Sequence, residues 1–177
     1  MLRRRNRVDW REAANEFATE VEGYMAWLND RSIPFTLAED QHRLLSVYWL
    51  GIELPDPPLD DLTEGLEAVE PAPVIVDWAG FIRERGRELP FTEYTRSVRP
   101  HDASSRDLEA GDLVEDLAQV GKHLLPGLAH FRAGAPAWAL VQWRMELPRW
   151  GAHATNAIRA IQCTISKLSE ESDPPAT

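Results

Sequence analysis

A run of apolar residues near the start of this chain leaves it little choice of fold class. Trp10, Ala14, Phe17, Val21, Tyr24 and Leu28 follow one another at intervals of 4, 3, 4, 3 and 4. At 3.6 residues per turn these positions form one stripe on a helix, whereas on a strand they would scatter over both faces. Arg11, Glu12, Glu16, Glu20 and Glu22 fall largely off the stripe. The helix therefore has a wet side and a dry side, and the dry side needs other helices to cover it. Asp9 stands where a side-chain oxygen can cap the first turn, and Asn29-Asp30 with Ile33-Pro34 ends the segment.

The same spacing recurs downstream. Thr36 with Glu39 reads as a capping pair opening a second helix, whose buried side is expected from Leu37, Leu44, Leu45, Tyr48, Trp49 and Ile52. Residues 53–70 hold seven carboxylates, no basic residue and Pro55, Pro57 and Pro58. At most one short helix fits there, near Leu59 to Val69, and the rest reads as an acidic loop. A third long helix is expected after Pro73, with Ile75, Trp78, Phe81, Ile82 and Leu89 inward. Residues 91–111 read as an irregular aromatic connection. Asp112 and Glu115 form another capping pair before a helix carrying Leu113, Leu117, Val120, Leu124, Leu128 and Phe131, with Pro126 inside it and Gly134 after it. Pro136 opens a fifth helix with Trp138, Leu140, Val141, Trp143 and Leu147; Pro148 is expected to bend or break it before a final helix through Ala154, Ala157, Ile158, Ile161, Ile165 and Leu168. The sum is an all-α, single-domain bundle of five or six helices over 8–169, flanked by a basic flexible stretch at 1–7 and a disordered tail at 170–177.

Charge and cysteine usage narrow the function classes. The net charge of −10 opposes nucleic acid, and the one basic cluster, Arg3-Arg4-Arg5-Asn6-Arg7, reads as a solvated terminus. No apolar run is long enough to span a bilayer, and no apolar segment follows the basic start as in a secretory signal, so a cytoplasmic location is expected. A single cysteine, Cys163, rules out an internal disulfide and reads as a small buried thiol.

The most distinctive residues lie between Trp138 and Ile161. Trp143-Arg144-Met145-Glu146, Trp150-Gly151-Ala152-His153 and Ala157-Ile158-Arg159-Ala160-Ile161 stand in that order. This order resembles a bacterial helical family catalogued as domain of unknown function number five-zero-six-three, which tends to show W-x-W-R, H-W-G-x-H and A-L-x-A-L near its C-terminus. Asp116-Leu117-Ala118 and Tyr94 also look like family positions. Arg149 stands where the family has the first His of H-W-G-x-H. The resemblance implies a helical fold and no known reaction.

Few side chains carry a chemical signature. His153 shares a helical face with Trp150 and Ala157. It reads either as a ligand or base in a pocket walled by Trp143 and Trp150, or as a packed histidine bonded to a buried carboxylate or carbonyl. His123 and His130 lie two turns apart, but no Glu-x-x-His pair accompanies them, so no metal or other cofactor is expected. No nucleophile motif or phosphate loop is present, and no catalytic residue is assigned. The acidic stretch, with Asp60, Asp61, Glu64 and Glu67, is the preferred contact surface for a partner, because uncompensated carboxylates attract a basic protein. The expectation is a non-enzymatic protein that binds another protein, in an adaptor or immunity-like role, with self-association possible. The alternative is an enzyme or small-ligand binder using the pocket near Trp143, Trp150 and His153.

Overall fold

The computed structural model describes residues 9–30, 32–63, 78, 80, 84, 86–89, 91–97, 104 and 107–172. Among them are five helices and one small sheet: α1 (Trp10–Asn29), α2 (Leu37–Ile52), α3 (Leu59–Thr63), β1 (Glu93–Ser97), β2 (Leu108–Asp112), α4 (Leu113–Arg132) and α5 (Pro136–Ser172). The fold is all-α, and α5 is its spine, with α4 along one side and α2 along another. The first helix forms as its spacing predicts. Asp9 accepts from the Arg11 amide at 2.9 Å, and Ala14, Phe17, Val21, Tyr24 and Leu28 are buried. Asp112 caps α4 by accepting from the Glu115 amide at 2.9 Å. Of the expected inward residues of α4, the five from Leu113 to Leu128 are buried, and Phe131 packs at their edge.

Three local expectations are corrected. On α2 the dry face is Asp40, Leu44, Val47 and Gly51, while Leu45, Trp49 and Ile52 are exposed. An apolar row spanning more than one face cannot be buried whole by a helix with neighbours on only part of its circumference. The aromatic connection contains a hairpin, with β1 antiparallel to β2 in the register Tyr94↔Gly111 and Arg96↔Glu109. Pro148 does not interrupt α5, which runs as one helix of 37 residues. Proline removes the donor that would reach the Arg144 carbonyl. Packing holds the helix regardless: the Trp150 indole turns back to donate to the Trp143 carbonyl at 3.1 Å. The helix continues past 169 to Ser172. Residues 1–7, Ile75, Phe81, Ile82 and most of the expected third long helix lie outside the described residues. Trp78 of that segment packs against the core beside Gly121, and Leu89 is buried.

Candidate functional site

Where the hairpin meets α4 and α5, one buried carboxylate gathers three elements. Asp116, 3% exposed on the first turn of α4, accepts from the Tyr94 hydroxyl of β1 and pairs with His153 Nδ1 of α5 at 2.6 Å. Arg96 Nη1 of β1 lies 3.9 Å from the same carboxylate. The local sequence explains the placement. Tyr94 and Arg96 lie two apart on a strand and so share a face. Opposite Tyr94 stands Gly111, and any Cβ there would run into the phenol ring, so glycine lets the ring lie across β2 toward α4. Arg96 faces Glu109 across the ladder and pairs with it. Burial and the Asp116 carboxylate push the Tyr94 phenol far above its ordinary range, so it stays a protonated donor.

A second pair lies beside the first. His123 Nδ1 of α4 stands 3.0 Å from Glu146 Oε2 of α5, and Arg149 Nη1 donates to Glu146 Oε1 at 2.7 Å. The His123 and His153 rings stack, with centroids 6.3 Å apart and planes 15° from parallel. Among the described residues, no group of three or more His, Cys, Asp or Glu side chains is placed to hold a metal ion. Burial lowers the His123 pKa below its ordinary 6.5, helped by nearby His153 and Arg149 and opposed by the Glu146 carboxylate. The Arg149 hydrogen bond lowers that of Glu146. Both shifts have the same sign of linkage. The unfolded chain takes up these protons first, so the stability they contribute is present above the unfolded values and is lost as pH falls through the folded ones. The unfolding midpoint should therefore drop on acidification from about pH 7.5 to about pH 5, and His123→Gln should flatten the upper part of that drop. An equally steep drop in the variant would remove His123 from the account.

The other sequence candidates separate in space. Trp143 and Trp150 are fully buried. Trp143 Nε1 donates to the Leu124 carbonyl at 2.9 Å, and Phe17 meets the Trp143 ring edge-on at 4.9 Å. They serve the core, and a cavity of about 580 Å³ lies elsewhere, between β1 and the C-terminal half of α5. Neither tryptophan lines it, nor does His153, which sits one turn above the lining residue Asn156. Cys163 is exposed, not buried, and lines this cavity.

The acidic stretch is less bare than its composition implies. Asp61 lies 3.4 Å from Arg11 Nη2, and Asp56 lies 2.8 Å from Arg144 Nη2. Asp60 is exposed on α3, while Glu64 and Glu67 fall outside the described residues. What sequence reasoning missed lies next to it on α2. Leu45, Trp49 and Ile52 form a row at i, i+4 and i+7 with 44%, 63% and 41% exposure, and Leu59 beyond them is 80% exposed. The signal was the second apolar face of α2, which no helix among the described residues covers.

The chain matches the model of the family described as a domain of unknown function (DUF5063) over residues 8–167. No curated protein and no solved structure matches the chain.

Proposed function

Since this chain belongs to the DUF5063 family, whose description names no activity, we propose a function from its own surface: α2 docks a basic amphipathic segment of another protein. The observation that carries the reading is the exposed row Leu45, Trp49 and Ile52. Single exposed apolar residues need no explanation, but a row of large ones with a tryptophan at its centre is what interfaces are built from. Its i, i+4, i+7 spacing is that of a helix face read by a partner. Acidic side chains follow the row at once: Glu53 and Asp60 are exposed, and the Asp56 side chain is 84% exposed. In a chain of net charge −10, a second copy docked face to face would be repelled, whereas a basic partner would be attracted. The role this supports is that of a cytoplasmic adaptor, or of an immunity-like protein that masks a basic target.

The test uses a helical peptide of alternating leucine and lysine faces as probe, titrated against the full chain and read by isothermal titration calorimetry. Trp49→Ala should weaken binding by about tenfold or more, the loss of roughly 1.4 kcal/mol or more that truncating a central aromatic anchor brings. The thermal midpoint should stay where it is. Replacing lysine by glutamate in the peptide should abolish binding. Equal binding by Trp49→Ala, or by the glutamate peptide, overturns the reading. A dimer that forms with rising concentration and is lost in Trp49→Ala would assign the row to a second copy.

A further inference from the structure

The cavity between β1 and α5 is a separate feature, on the opposite side of α5 from α2. Its volume of about 580 Å³ lies within the range of sites that enclose small molecules, about 300–1,000 Å³. Its walls do not rest on a loose hairpin. Tyr94 is bonded to Asp116 of α4, Arg96 is paired across the ladder with Glu109, and the Leu113 amide donates to the Thr92 carbonyl at 2.7 Å to close the base of the hairpin. Phe91, Ala160 and Leu168 give the lining its apolar part.

The charges of the lining decide what could enter. Three of its five charged residues are cationic (Arg96, Arg159 and Lys167, against Glu93 and Glu171) in a chain whose net charge is −10. Two of the cations are already matched. Arg96 is held by Glu109 beside Asp116, and Lys167 Nζ stands 3.7 Å from Glu171. Arg159 has no carboxylate or hydrogen-bond acceptor among the described residues, and the amide of Asn156, one turn before it, has no partner there either. A guanidinium offers a planar fork of donors that fits a carboxylate or phosphate in two-point contact, and an amide supplies a further donor.

We propose that this cavity binds a small amphiphilic anion, with its carboxylate or phosphate on Arg159 and Asn156 and its apolar part against Phe91 and Leu168. The site is independent of the α2 row, and the molecule contains its own reporter. Cys163 is the single cysteine of the chain, is exposed and lines the cavity. A bound molecule should therefore shield it from a neutral alkylating reagent.

The experiment follows the rate at which iodoacetamide modifies Cys163 in the full chain, with octanoate, phenyl phosphate or octylammonium as probe. At ten times its dissociation constant, an anionic probe should slow the modification about tenfold, as expected if only the free protein reacts. Octylammonium should not slow it. Arg159→Gln, a change at an exposed position, should leave the thermal midpoint and the unprotected rate unchanged and weaken the anion's affinity about tenfold or more, so that the same probe concentration slows modification only about twofold or less. Trp49→Ala should protect like the parent, so failure of the α2 reading and failure of this one are distinguishable. Protection by octylammonium equal to that by octanoate, full protection in Arg159→Gln, or none by either anion would overturn the proposal. Comparing octanoate with phenyl phosphate tells which anionic head the site prefers.

Discussion

Replacing Asp116 by alanine should destabilise the protein by about 3 kcal/mol, or about 6–12 °C in the unfolding midpoint for a chain of this size. The carboxylate is buried and takes the Tyr94 hydroxyl on one oxygen and His153 Nδ1 on the other. Its removal leaves two part-buried donors without their acceptor, and each orphaned group costs about 1–3 kcal/mol when buried, less where water reaches it. Arg96 also loses the carboxylate 3.9 Å away. His153→Ala, which removes one of the two bonds and leaves Tyr94 in place, should cost less, about 1–2 kcal/mol. The double variant should fall short of the sum, because both changes delete the same bond. Amide exchange tells where the energy resides. In Asp116→Ala the ladder amides of β1 should exchange much faster than those of α1, since the hairpin has lost its tie to α4. Unchanged exchange in the hairpin would mean that Asp116 acts on the core alone.

The sequence made the bundle readable because helices announce themselves locally. The seam from Trp10 to Leu28 and the caps at Asp9 and Asp112 depend on residues within a few positions of each other. What could not be read depended on pairing at a distance. Glu93–Ser97 and Leu108–Asp112 have no clean alternation of apolar and polar residues, so nothing local marks them as strands. They are strands because the Tyr94 ring finds Gly111 across the ladder and Asp116 beyond it.

Pro148, expected to bend or break the helix, does not break it, for the same reason. Its local cost is real, but α5 packs against both α2 and α4, and propensity yields to that packing. The site divides likewise. His153 was visible as a motif residue, and the family resemblance drew attention to Tyr94 and Asp116 without a role for either. Their convergence on one carboxylate joins residues 22 and 37 positions apart, a relation no periodicity contains. The tryptophans left two readings open, and the structure chooses between them. The same indoles that could wall a pocket also fill a core, and their burial decides for the core.

The packing around one of them supplies the most severe single-atom test. Gly127 of α4 lies under the Trp143 indole, and a Cβ built on it would overlap Nε1 and Cδ1 of that ring. On an exposed helix, Gly→Ala would gain about 1 kcal/mol. Here the methyl group meets a fully buried ring that has nowhere to retreat, because Phe17 stands edge-on to it at 4.9 Å and Phe131 lies 6.3 Å away on centroids. Moving the ring would also draw Nε1 away from the Leu124 carbonyl, now at 2.9 Å, and orphan a buried donor. Overpacking and the lost bond together should outweigh the helical gain, giving a net loss of about 2–4 kcal/mol and a midpoint lower by about 4–16 °C. Gly23→Ala makes the control. Gly23 lies mid-helix in α1 with nothing within 4 Å of its added Cβ, so that change should raise stability by up to about 1 kcal/mol. Opposite signs for two identical substitutions, read by the same thermal melt, would locate the difference in the indole. A rise in midpoint for Gly127→Ala would mean that α4 and α5 can separate to admit a methyl group, and that the Trp143 contact is not the close fit described.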